Sequence, residues 1–193
     1  SWNLLVMTYD GSNVKFYDES SLLHSESISG EVYNSDYDLS IGVLPHDDLS
    51  TYGVFFEGNI DNLNLWNRAL NLDEILDNDF NSLFGNQNGL VGYWDFNDGE
   101  GSTLTDLSGN GNNGSINGAT WSDDVPAPPV PPTPGGNNSL SFNGSNDYVS
   151  IMDDESLTST SAMTVSAWFK KVSGTGWMSL VGKGTSDVNE EYV

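Results

Sequence analysis

Short apolar runs recur along this chain, most of them alternating at period two and closed by Gly, Asn, Asp or Ser. Leu4 to Tyr9 and Val14 to Tyr17 read as a hairpin across Asp10-Gly11-Ser12-Asn13, because Asp-Gly supplies the backbone conformations that a tight connection demands. Further strands are expected at Leu22 to Ile28, Leu39 to Val43 and Val54 to Glu57. The stretch from Gly58 to Trp66 is the most informative. Read at strict period two, Asp61, Leu63 and Leu65 share one face, and Ile60, Asn62, Asn64 and Trp66 share the other. This predicts a half-buried strand with a carboxylate among core residues, where it is costly unless a partner compensates it. At Asn71 the period changes, and Leu72, Ile75 and Leu76 form the stripe of a short helix.

A turn at 85–89 leads into Leu90 to Phe96, whose residues are nearly all apolar, so both faces are expected to be covered. The segment 98–114 is dense in Gly, Asn and Asp, which disfavours regular structure and offers many oxygen atoms on a permissive backbone. Six of the seven prolines, at 126, 128, 129, 131, 132 and 134, then fall in one run, a semi-rigid spacer in polyproline II. Beyond it Ser139 to Phe142, Tyr148 to Ile151, Met163 to Lys170 and Met178 to Val181 read as strands. The pattern as a whole is that of an all-β antiparallel sandwich with one short helix.

Composition narrows the function. Five basic residues face 28 acidic ones, a formal charge of −23, which repels nucleic acid and anionic membrane and favours divalent cations. High acidity also keeps a secreted protein soluble, so both readings stand. There is no cysteine, which excludes a disulfide framework and zinc thiolate sites. No run of about 18 apolar residues marks a membrane span. No basic and apolar leader opens the chain, which has the look of a window cut from something longer.

Three segments resemble one family. Gly58 to Ile75 is similar to a G-x-I-D-x-[LV]-x-[LI]-W-x-R-A-L-x-x-[ED]-E-I pattern, Trp2 to Ser12 to its W-x5-T-Y-D-G-S strand and turn, and Phe142 to Ile151 to its opening F-x-G-x-x-D-Y-V-x-I strand. These resemble laminin-G-like, concanavalin-A-like domains of large secreted bacterial proteins, and Asp106 to Gly114 resembles the D-x-S-G-N-G-N-x-G loop of the same family. The resemblance implies a jelly-roll sandwich in an extracellular or cell-surface protein. It also places the opening segments after the closing ones. Residues 1–124 then correspond to the C-terminal part of one sandwich with its following strand and loop, 125–138 to a linker, and 139–193 to the opening strands of the next repeat. A permuted single sandwich is the alternative; the tandem array is favoured, because nothing supplies the strands the family has between Val193-like and Trp2-like segments.

By the same resemblance Asp61, Asn143, Gly144 and Asp147 would share one structural calcium ion, with Asp106 and Asn110 in a second, weaker loop site. The alternative for Asp106 and Asp147 is a turn residue bonding its own backbone. Trp2, Trp121, Trp177 and Tyr52 stand near segment ends or in loops, where an aromatic platform for a sugar is conceivable, whereas Trp66, Trp94 and Trp168 read as core. Catalysis finds no support: Glu57 and Asp61 do not make the paired-carboxylate pattern of a glycosidase strand, and no H-E-x-x-H, G-x-S-x-G or phosphate loop occurs. The reading is a non-catalytic, calcium-stabilised module that binds a glycan or cell-surface polysaccharide and adjoins neighbouring repeats. A purely structural spacer, or an accessory module of a polysaccharide-degrading enzyme, is the alternative.

Overall fold

The Asp-Gly signal makes the hairpin it predicts. β1 (Asn3–Tyr9) and β2 (Asn13–Asp18) pair antiparallel, and Asp10 Oδ1 accepts from the backbone N–H groups of Ser12 and Asn13 at 2.9 and 2.7 Å. The computed structural model describes residues 1–18, 21–32, 35–44, 54–80, 87–126, 138–158, 161–172 and 178–184, with 77–80 as backbone only. Along it follow β3 (Ser21–Ser27), β4 (Leu39–Ile41), β5 (Val43–Leu44), β6 (Val54–Phe55), β7 (Glu57–Trp66), helix α1 (Leu72–Phe80) and β8 (Leu90–Trp94). Then come β9 (Thr103–Leu104), β10 (Gly114–Asn117), β11 (Thr120–Ser122), β12 (Ser139–Asn143), β13 (Tyr148–Ile151), β14 (Met163–Lys171) and β15 (Val181–Lys183).

Two antiparallel sheets form the sandwich. The large one has the order β11-β12-β7-β14-β1-β2-β3, with β8 also paired to β7; the smaller runs β15-β4-β13-β10-β9. Between them lies a core of Ile60, Leu63 and Leu65 from β7, Leu140 and Phe142 from β12, and Ile41, Val149 and Ile151 from the smaller sheet. The expected strand from Leu39 to Val43 is interrupted at Gly42, where φ is +80°, and only glycine fits there because a Cβ would stand 2.5 Å from the Phe142 ring. The outer face of the large sheet carries a second cluster of Leu4, Val6, Trp66, Leu90 and Tyr93, closed by Leu70 and by Ile75 of α1. That helix starts where the sequence places it: Asn71 Oδ1 accepts from Glu74 N at 3.0 Å and Glu74 Oε2 from Asn71 N at 2.9 Å, a reciprocal cap.

The segments on either side of the proline run share both sheets. β12 pairs with β7, β14 lies between β7 and β1, and β13 lies between β4 and β10. Each completes sheets begun by the other, as a permuted sandwich requires and as the end and beginning of similar repeats would do when joined.

The facing of Asp61 differs from the period-two expectation. Between Asn64 and Asp61 β7 advances three residues while β14 advances two, from Ser166 to Trp168, so β7 carries one extra residue. Asn62, with φ +54°, absorbs it as a β-bulge. The alternation resets there: Ile60, Leu63 and Leu65 all point into the core, and Asp61 turns outward with Asn64 and Trp66.

Candidate functional site on the outer face of the large sheet

β7 changes partners along one edge. β12 pairs with it up to Ile60 and β8 from Leu63 onward, so Asp61 and Asn62 stand at the seam between the two. Asp61 is 6% exposed, and its Oδ1 is buried without a hydrogen-bond partner. Burial pushes its carboxyl up to about 8, the Asn62 backbone N–H opposes this in part, and the charge of Asp95 adds to it. Asn64, paired with Tyr93 across β7 and β8, also has an unpartnered buried side-chain oxygen. Tyr93 is buried beside both carboxylates; burial first, then the charges of Asp95 and Asp61, hold its phenol protonated. Asp95 accepts from Asn97 N and Asn97 Nδ2, each at 3.1 Å, and Asn97 Oδ1 accepts from Asn138 N at 3.2 Å, which ties the end of β8 to the start of β12.

Next to the seam on the same face lies a polar strip that includes one indole and adjoins a second. Trp2 Nε1 donates to Asp124 Oδ1 at 3.1 Å and Lys170 Nζ to Asp124 Oδ2 at 2.5 Å. The Lys170 ammonium first, and Trp2 second, hold the Asp124 carboxyl below its ordinary value. Asn59 Nδ2 donates to Ser139 Oγ, which donates to the Asp124 carbonyl. Leu4 stands opposite Trp168 and Asn3 opposite Phe169, so the register places Trp2 beside Lys170 and diagonal to Trp168, a spacing of about 7–8 Å. Both indoles are partly exposed.

The ligand set implied by resemblance is not brought together. Asn143 stands opposite Glu57, four positions before Asp61 on β7, or about 13 Å along the strand. Its own turn is closed internally: Asp147 Oδ2 accepts from Asn143 N at 2.9 Å, Asp147 Oδ1 from Asn143 Nδ2 at 3.0 Å, and Asn143 Oδ1 from Ser145 N and Asn146 N. Gly144, with φ +75°, donates its N–H to Phe56 O and leaves room for Glu57. In the second loop Asp106 Oδ1 accepts from Tyr93 N and Ser108 N, and Asp106 Oδ2 from Ser108 Oγ and Asn112 N. Four donors saturate a carboxylate, and the Asn110 amide donates to the Leu90 and Val91 carbonyls. Asp106 and Asn110 therefore clamp their loop onto β8.

Among the aromatic candidates, Trp121 packs against the core cluster and donates Nε1 to Gly101 O. Trp177 and Tyr52 lie outside the described residues. Trp66 and Trp94 are buried at 1% and 0% exposure, whereas Trp168, facing outward opposite Asp61, is half-buried and packs against the outer cluster. Sequence reasoning missed Asp95, Asn97, Asp124 and Lys170, whose meeting depends on pairing between distant segments. Among the described residues no three of His, Cys, Asp and Glu converge, so a cation here needs amide or carbonyl oxygens as well. No helix among them is long and apolar enough to cross a membrane.

Residues 1–76, which run from β1 into α1 and include Trp2 and Asp61, match the concanavalin A-like lectin/glucanases superfamily. No curated protein and no solved structure matches the chain. Superfamily and antiparallel sandwich agree, and they fit a module of the carbohydrate-binding or adhesion type.

Proposed function

We propose that this chain is a non-catalytic module that binds glycan at the outer face of its large sheet, serves adhesion in an extracellular surface protein, and is stabilised by calcium. The observation that carries the reading is a half-buried indole, Trp2, bonded to the Asp124–Lys170 ion pair, with a second half-buried indole, Trp168, two residues from Lys170 on the same face. Indole faces stack on the apolar side of a pyranose, and carboxylate, ammonium and amide groups beside them match its hydroxyls. Asp61 is too deeply buried to reach a glycosidic bond, and the Asp124 carboxylate is held ionised by Lys170, so neither supplies the exposed acid that hydrolysis requires. The formal charge of −23 favours uncharged or cation-bridged glycans over anionic ones.

Affinity electrophoresis against neutral polysaccharides tests it. The native chain should be retarded, and Trp2→Ala and Trp168→Ala should each weaken retardation about tenfold or more, with the circular dichroism of the sandwich unchanged. Retardation equal in both variants and the native chain would remove the indole face from the account.

A further inference from the structure

We propose that the gap between the two sheets beside β1, β14 and β15 binds a single-chain fatty acid, with its tail between the sheets and its carboxylate on Lys183. The site is separate from the indole face of the large sheet. Leu5 and Met7 point inward, opposite Ala167 and Val165 of the core, whereas Leu4, Val6 and Trp168 stand on the outer side.

The two ends of the sandwich are packed differently. Where β7 and β12 face β4 and β13, Ile60, Leu140, Ile41 and Ile151 are all 0% exposed. At the other end the inward Leu5, Met7, Val165 and Val181 stay half-buried, and with Leu39 and Leu180 they line a cavity of about 470 Å³. That volume falls among small-ligand sites, which run from about 300 to 1,000 Å³. Along β14 the wall extends from Met163 to Ala167, about 13 Å of strand, so the space is long enough for an alkyl chain. Water suits it poorly, because an ordered water needs several polar partners and most of this wall is apolar. One charge marks where a polar head would sit. Lys183 is the sole ionisable side chain among the described residues of the wall, and one of five bases in a chain of formal charge −23. Its ammonium donates to Asp153 Oδ1 at 2.6 Å and to the Ser35 carbonyl, which leaves the third of its three donors without a partner among the described residues. A ligand carboxylate completes that set with a charge-assisted bond, and at 15% side-chain exposure of Lys183 the bond is only weakly screened.

Calorimetry on the whole chain, stripped of copurified lipid, tests the site with laurate and with monolaurin, its uncharged glycerol ester, both below the concentrations at which they form micelles. Laurate should bind saturably at one per chain, and monolaurin at least tenfold more weakly. Lys183→Met should bring laurate down to the monolaurin level while leaving monolaurin unchanged, a pattern that mere loss of folding would not give. Met7→Trp and Val165→Phe each put a ring into the cavity and should abolish laurate binding; where one of them fails to fold by circular dichroism, the other decides. No laurate binding by the native chain, equal affinity for laurate and monolaurin, or undiminished laurate binding in a natively folded Met7→Trp or Val165→Phe variant would each overturn the proposal.

Discussion

Asp61→Asn changes one atom in a buried carboxyl, and its effect follows from linkage. In the metal-free chain the folded-state value near 8 stands above the ordinary 3.8, so the folded protein holds a proton that the unfolded chain releases. Stability is greatest below about 4 and falls as pH rises, by about 1.4 kcal/mol per unit, until the folded carboxyl ionises near 8. Over the four units between the two values the loss is on the order of 5 kcal/mol, a large part of what holds a domain of this size together. The Asn variant has no such proton, so it should exceed the native chain in stability by a margin that grows from pH 5 to pH 8 and then levels. Urea unfolding in chelator at intervals from pH 5 to pH 9 measures the margin directly, because the many other carboxylates cancel in the difference. Parallel stability curves across that range would refute the reasoning and mean that Asp61 has a partner or reaches water.

Gly58→Ala should destabilise the sandwich by several kcal/mol, since φ is +147° and a Cβ would stand 2.1 Å from the Lys170 carbonyl; a natively stable variant in thermal unfolding would contradict the β7–β14 register. Asp106→Ala strips partners from the backbone N–H groups of Tyr93, Ser108 and Asn112 and should cost about 3–5 kcal/mol in urea unfolding. Asn71→Ala removes one half of the reciprocal cap of α1 and should cost about 1 kcal/mol in the same assay.

Local chemistry was legible in the sequence wherever it decides structure locally. The Asp10-Gly11 turn, the Asn71–Glu74 cap and the rhythm of short strands each rest on a few adjacent residues, and each is found in place. The facing of Asp61 was not legible, because alternation holds only while neither strand gains a residue, and the Asn62 bulge is set by pairing with a strand about a hundred residues away. A similar irregularity between Leu65 and Trp66 lets Val91 enter the core while Tyr93 faces outward, although period two puts them together. The candidate site was half visible: Asp61 and Trp2 stood out, but Asp95, Asp124, Lys170 and the outward facing of the half-buried Trp168 follow from tertiary pairing. The turn chemistry of Asp106 and Asp147 shows why oxygen-rich loops mislead, since their carboxylates bind the backbone that carries them.

The most direct test of the glycan-binding reading is a glycan array probed with the native chain in millimolar calcium and again in chelator. Binding to a restricted set of glycans, predominantly neutral ones, is expected, and it should weaken when calcium is removed. Absence of binding to every glycan in both conditions, by a chain shown to be folded, would contradict it.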